Sequence, residues 1–276
     1  MGSSCLAPDG TGMTMFWIRQ WQEQIDVKLP ALIATLVVVA TVPVSAREPS
    51  RPPLFEVVDV DRDTVPAGTP EAFEAAFGRK TQYDGGGRWY ELTREVDGHD
   101  ITFVPLTLIS LPDGRKALIT TGASDCTSHA CSGVNAVHYL QREGARYQVD
   151  GEWLDVGASG TFGNPARRWG WTAAITGAPV LYTEGGGVWQ GYACSAATLT
   201  ELGAHGPVEI ASIPIHYSNG GAVDTGTVTL TGTITAAEQG RSFTVSYAGS
   251  SQFDELYVRG ADGRYRLEGD TKVPHC

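Results

Sequence analysis

The sequence predicts an all-β protein, a propeller-like array of about four antiparallel β-meander units with one short helix near the mature N-terminus. Three observations carry that expectation. The 276-residue chain holds 34 glycines and few long helix-forming runs, the composition of many short strands joined by tight turns. A unit of strand, glycine or serine loop, strand, short turn and strand recurs unevenly, at roughly 40–60 residues, a period typical of propeller blades. Finally, Glu184-Gly185-Gly186-Gly187-Val188-Trp189 has a copy one hundred positions earlier, Asp84-Gly85-Gly86-Gly87-Arg88-Trp89. Small sheets that are apolar on both faces need neighbours on each side, which is the physical case for blades. The irregular spacing and the helix in the first unit leave a β-sandwich or two small β-domains as the alternative.

Composition bounds the class. With 42% apolar and 18% charged residues the chain buries a full-sized core and is neither disordered nor low in complexity. The formal charge is -11, and residues 1–46 hold two basic and three acidic side chains, leaving 18 basic against 28 acidic beyond them. Such a body is repelled by nucleic-acid phosphate and by anionic lipid. It suits a basic protein partner or a solvated surface.

Residues 1–46 read as an export signal. An apolar run from Ala31 ends at Pro43 and Val44-Ser45-Ala46, a small-x-small cleavage pattern before Arg47. The run is shorter than the ~20 residues of a spanning helix and is broken by proline. Translation beginning at Met13 or Met15 would shorten the long pre-run, and an uncleaved signal anchor is the competing interpretation. No cysteine follows the cut, so no lipid anchor is expected. Residues 47–53 form a proline-rich linker and 54–276 a single β domain, without a membrane span, periplasmic or secreted. Removal of Cys5 with the signal leaves Cys126, Cys131, Cys194 and Cys276, an even set suited to an oxidising compartment. The expected pairs are Cys126–Cys131, closing a short loop, and Cys194–Cys276, tying down the last residue. A zinc site from cysteines plus His129 lacks a second close pair of ligands.

The elements follow in order. Residues 54–60 form a strand, after which Asp59, Asp61 and Asp63 stand at calcium-loop spacing. An EF loop, however, needs glycine sixth and a carboxylate twelfth, where this chain has Thr64 and Pro70. Residues 69–78 form the helix, with Thr69 as cap, Pro70 in the first turn, Phe73 and Phe77 on one face and Gly78 as stop. Alternating or β-branched strands follow at 88–93, 101–109, 116–121, 134–140 and 147–149, with turns at Val96–His99, Pro112–Gly114 and Arg142–Gly144. The pattern resumes at 178–182, the triple glycine as a tight connection, 197–202, 208–210 onward, 243–247, 255–259 and 265–267.

Catalytic motifs are absent: the chain has no Gly-x-Ser-x-Gly elbow, paired-histidine zinc motif, P-loop or dinucleotide fingerprint, and no cofactor is expected. His138 and His216 fall inside strands as structural residues. His129, held on a disulfide loop near Asp125, is the one arrangement in which an acid–base pair is conceivable. Asp254 and Glu255 are adjacent on a strand and point to opposite faces. Trp169 and Trp171 are two apart, so both rings project from one strand face with Arg167 and Arg168 beside them, a surface for stacking on sugars or anchoring an interface. Trp89, Trp153 and Trp189 are expected to fill the β-core. Together these features predict an exported acidic β-scaffold that works by binding a basic protein or an envelope glycan. One such protein is a periplasmic inhibitor or immunity-type protein against a basic cell-wall-degrading enzyme. The alternatives are a polysaccharide-active hydrolase or lyase and a structural envelope protein without a ligand.

Overall fold

The computed structural model describes residues 51–78, 82–84 and 87–276, with the backbone alone for 82–89. The segment 1–46 expected to be an export signal, residues 47–50 of the expected linker and Gly85-Gly86 of the first glycine copy lie outside the described residues. The elements are β1 (Val58–Asp59), α1 (Thr69–Phe77), the pair β2 (Gln82–Asp84) and β3 (Gly87–Trp89), then β4 (Leu92–Val96), β5 (His99–Ser110), β6 (Lys116–Ser124), β7 (Val134–Glu143) and β8 (Arg146–Trp153). After these come β9 (Arg168–Thr172), β10 (Val180–Trp189), β11 (Tyr192–Gly203), β12 (Gly206–Ser218), β13 (Thr229–Glu238), β14 (Ser242–Gly249), β15 (Phe253–Arg259) and β16 (Tyr265–Leu267).

The all-β class and the single helix stand. The strands, however, are grouped into two long antiparallel meanders rather than four blades: β4 to β8 in sequence order form one sheet, and β1 followed by β9 to β16 form the other. The second sheet curls into a half-barrel, and its far end returns to β12 through an ion pair of Arg264 with Glu209 (3.7 Å) and to β11 through one of Arg259 with Glu201 (3.9 Å).

Period-two alternation sorts the side chains into three cores. On β6, Leu118 faces α1, while Ala117 and Ile119 face the other sheet. On β7, Ala136 and Leu140 face α1, while Val137 and Tyr139 face the other sheet. Leu181 and Leu202 of the nine-stranded sheet meet that second group. Val180, Tyr182, Ile213, Phe243 and Tyr257 line the inside of the curl. Burial of these clusters is the main stabilising term.

The helix starts one residue earlier than Thr69 as cap implies. Gly68 is the N-cap in a left-handed conformation, and the buried Thr69 turns its hydroxyl to the Pro66 carbonyl at 2.7 Å. Of the strand expected over 54–60, Val58–Asp59 pairs with β9, Val60 N–H donates to Arg167 O, and Leu54 N–H donates to Ile234 O of β13. This segment spans between β9 and β13, where β12 and β13 pair only over His216–Ser218.

Both expected disulfides are formed, Cys126–Cys131 with Cα atoms 6.1 Å apart and Cys194–Cys276 with Cα atoms 6.5 Å apart. Such bridges persist in oxidising compartments. The C-terminal strap buries Val273 and is clamped where Glu255 Oε1 accepts from the Thr271 hydroxyl (2.9 Å) and Lys272 N–H (2.7 Å). Asp254, its neighbour, faces out toward Arg51. No helix among the described residues is long and apolar enough to cross a membrane.

Candidate functional site

The strongest concentration of unusual features lies where three loops meet: the disulfide loop Ser124–Gly133, the crossing loop Val156–Arg167 and the tip of the β10–β11 hairpin. The crossing loop is hung on one buried side chain. Asn135 Nδ2 donates to Val156 O (3.2 Å) and Ala158 O (2.9 Å), and its Oδ1 accepts from Ala166 N–H (3.1 Å) and the Thr121 hydroxyl (3.4 Å). Every hydrogen-bonding atom of the amide group is therefore engaged, as a buried amide requires.

The loop then lies directly on the triple glycine. That run is continuous strand within β10, with none of the three residues at positive φ, so the tight connection expected there does not occur. A Cβ at Gly185 would overlap the Ser159 backbone, one at Gly186 the Cys194 carbonyl, and one at Gly187 the Thr161 methyl. The missing side chains let the Ser159 backbone and the Thr161 side chain of the crossing loop pack directly on the strand at Gly185 and Gly187, and the paired strand β11 crowd Gly186.

The crossing loop is also joined to the disulfide loop. Ser124 N–H donates to Gly163 O, Gly163 N–H to Cys131 O and Gly133 N–H to Asn164 O. Gly163 is at φ +73°, and a Cβ there would stand 2.6 Å from the Ser124 carbonyl. Immediately before it, Phe162 is left-handed at φ +58°, a conformation costing a bulky residue about 1–2 kcal/mol. That backbone leaves Phe162 52% exposed.

Beside it the β10–β11 hairpin turns through Gln190 (φ +50°) and Gly191 (φ +86°), the two left-handed residues of a type I′ turn. It carries Val188 at 58% and Trp189 at 45% exposure, so Trp189 is a surface ring and not core filler. His129 binds the three loops together. Its Nε2–H donates to Val188 O at 2.8 Å, and its ring lies edge-on to Phe162 (4.8 Å) and Trp189 (5.4 Å). The result is an exposed aromatic cluster on a cross-linked, hydrogen-bonded base.

On the other flank of the disulfide loop opens a cleft of about 600 Å³ lined by Asp63, Glu91, Asp100 and Asp125, with Arg62 donating from Nη2 to Thr102 O at 3.0 Å. Asp125 is anchored there by its N–H on Asp100 O. Asp125 and His129 thus face different ways. Neither an ion pair nor a hydrogen bond joins them among the described residues, and no acid–base pair is assembled.

The other predicted positions separate as follows. Trp169 and Trp171 do share a face of β9, but Trp169 packs on the inter-sheet core while Trp171 is 44% exposed. Trp153 fills core space edge-on to Tyr139. Arg168 faces into the half-barrel, reaching Asp59 (3.7 Å) and the buried Glu184 (3.4 Å). Glu184 also accepts from the Tyr182 hydroxyl (2.9 Å) and the Ser195 hydroxyl (3.3 Å). Burial first, and then the Glu184 charge, push the Tyr182 phenol far up, so it stays a donor. Asp61 accepts from Asp63 N–H, and with Asp59 on Arg168 and Asp63 in the cleft the three carboxylates do not converge. Among the described residues no group of three or more potential ligands is placed to hold a metal ion.

His138 is fully buried beside Phe77, its Nε2 3.0 Å from Glu152 Oε1. Burial lowers its pKa, with Glu152 opposing. His216 is half-exposed, directly across from Ser195 on the neighbouring strand. Phe162 and Asn135 carry no signal in the sequence, and Glu184 shows there only as the acidic residue that opens the repeated glycine motif, with nothing to mark it as buried. Comparison with protein-family models, curated proteins and solved structures finds no match.

Proposed function

We propose that this is an exported binding protein that grips a basic protein partner, as an inhibitor or immunity-type protein against a cell-wall-degrading enzyme does. The observation that carries the proposal is the aromatic cluster Phe162, Trp189 and Val188, held out to solvent by a strained backbone, a disulfide loop and a tight hairpin. Exposed aromatic rings on a rigid base lose little entropy on binding and make effective anchors. The acidic cleft around Asp63, Glu91, Asp100 and Asp125 lies against the same disulfide loop and supplies the complementary charge, which in a body with 18 basic against 28 acidic side chains beyond residue 46 accelerates capture of a cationic partner.

The test is calorimetry of the mature protein against a panel of basic peptidoglycan hydrolases at low and high salt. Binding should weaken with salt. Phe162→Ala and Trp189→Ala should each weaken it by roughly 2 kcal/mol, or about thirtyfold. Absence of binding across the panel, or affinity unchanged by both substitutions, would overturn the proposal.

A further inference from the structure

We infer that the C-terminal strap, residues 269–276, is a cover on the half-barrel core that a dithiol unlatches by opening the Cys194–Cys276 bridge. Residues 268–270 are exposed, and Gly269 is left-handed at φ +87° with open space where a side chain would stand, a ready hinge. The strap then turns inward once. Val273 enters the cluster that lines the inside of the curl, while Pro274, His275 and Cys276 are exposed again.

The hold on this segment is uneven. Glu255 Oε1 clamps its first half through the Thr271 hydroxyl (2.9 Å) and Lys272 N–H (2.7 Å), and the Lys272 ammonium lies 5.4 Å from the Phe253 ring centroid. Among the described residues, the one hydrogen bond beyond Lys272 is internal to the strap, from Val273 N–H to the Thr271 hydroxyl (3.1 Å). The second half is therefore held to the body by one buried side chain and one covalent bond.

The Cys126–Cys131 bridge is the contrast. Both of its residues are half-buried, and backbone bonds fix each of them: Cys126 N–H donates to Ser124 Oγ (3.1 Å), Cys131 N–H to Ser128 O (3.1 Å), and Cys131 O accepts from Gly163 N–H (3.2 Å). When that bridge opens, its sulfurs stay side by side at high effective concentration and close again. Cys276 has no such support, and an exposed disulfide is the kind that exchanges with thiols.

The exchange uses a dithiol as reductant. One of its thiolates attacks the exposed Cys276 sulfur, the Cys194–Cys276 bond breaks, and Cys194 leaves as a thiolate that takes up a proton. The second thiol of the reductant then attacks the mixed disulfide, so the reductant departs as a disulfide and Cys276 as a thiol, two electrons having passed to the protein. The strap swings on Gly269 and Val273 leaves its seat. Glu255, 4% exposed in the closed form, loses both donors on Oε1 while its Oε2 has none. What opens to water is an apolar seat holding an uncompensated carboxylate. This device does not depend on the protein partner proposed above.

The test is graded reduction of the folded mature protein by dithiothreitol, with samples blocked by iodoacetamide for peptide mass mapping and followed by amide hydrogen exchange. Cys194 and Cys276 should be alkylated at least about tenfold faster than Cys126 and Cys131. The Lys272 amide should then exchange at least about tenfold faster than in the oxidised protein, while the amides of β14 and β15 keep their protection. Replacing Cys194 and Cys276 together by alanine should reproduce that pattern without reductant. The inference is overturned if Cys126–Cys131 opens first or equally fast, or if the Lys272 amide stays protected in either the reduced protein or the double variant. It is equally overturned if β14 and β15 lose protection together with the strap.

Discussion

Replacing Asn135 by alanine tests the loop architecture on which the binding surface rests. The side chain makes four hydrogen bonds, three of them to backbone groups of the crossing loop, at Val156 O, Ala158 O and Ala166 N. With the amide gone, those groups lose their partner in a largely buried place, at about 1 kcal/mol each even when a water enters the space. The expected loss is about 3 kcal/mol, a fall in Tm of roughly 6–12 °C for a chain of this size. Urea unfolding should show it as a lowered midpoint at unchanged slope, and hydrogen exchange should rise most at Ala166, whose N–H loses its acceptor. Asn164→Ala, which removes one exposed bond to Thr161 O, is the control and should cost well under 1 kcal/mol. A loss below about 1 kcal/mol for Asn135→Ala would refute the view that this amide suspends the loop.

Two further outcomes follow from the same coordinates. Replacing Cys194 and Cys276 together by alanine opens a loop of 82 residues and should cost about 4.5 kcal/mol by chain entropy, against about 2 kcal/mol for the Cys126/Cys131 pair with its separation of 5. Chemical denaturation of the two double variants gives the comparison. Because burial lowers the pKa of His138 below the ordinary 6.5, the unfolded chain takes up a proton before the native one does. Stability is therefore full above pH 6.5 and declines as pH falls below it, by at most about 1.4 kcal/mol per pH unit. His138→Gln should flatten that slope. Glu152, whose pKa is lowered chiefly by Arg94, contributes its own loss only below its usual 4.5.

Much of the secondary structure was legible because its signals are local. The helix from Thr69, the hairpins at Asp97-Gly98 and Asp262-Gly263 and both disulfides declare themselves through turn residues, period-two alternation and an even cysteine count. The grouping of strands did not, since a meander that continues one sheet and a meander that begins a new blade have the same hairpins. β13, with Thr229, Thr231 and Thr233 alternating with Leu230, Gly232 and Ile234, gives no clear strand signal because glycine and threonine dilute the apolar pattern. The triple glycine reads as a connection because glycine breaks strands unless the strand's neighbour is known, here the Ser159 backbone. Phe162 and Trp189 have the composition of core. Only the left-handed backbone at one and the type I′ turn beside the other turn them to solvent.

The stretch from Leu54 to Val60 is stitched to partners that lie far downstream, Arg167, Arg168, Trp169 and finally Ile234. Leaving the ribosome early, these residues therefore wait for much of the rest of the chain before they have anything to bond with. Such a delay slows folding through its loop-closure cost. It also leaves the seam between β9 and β13 open until β13 has been made, so this early segment acts as a timer against premature closure of the nine-stranded sheet.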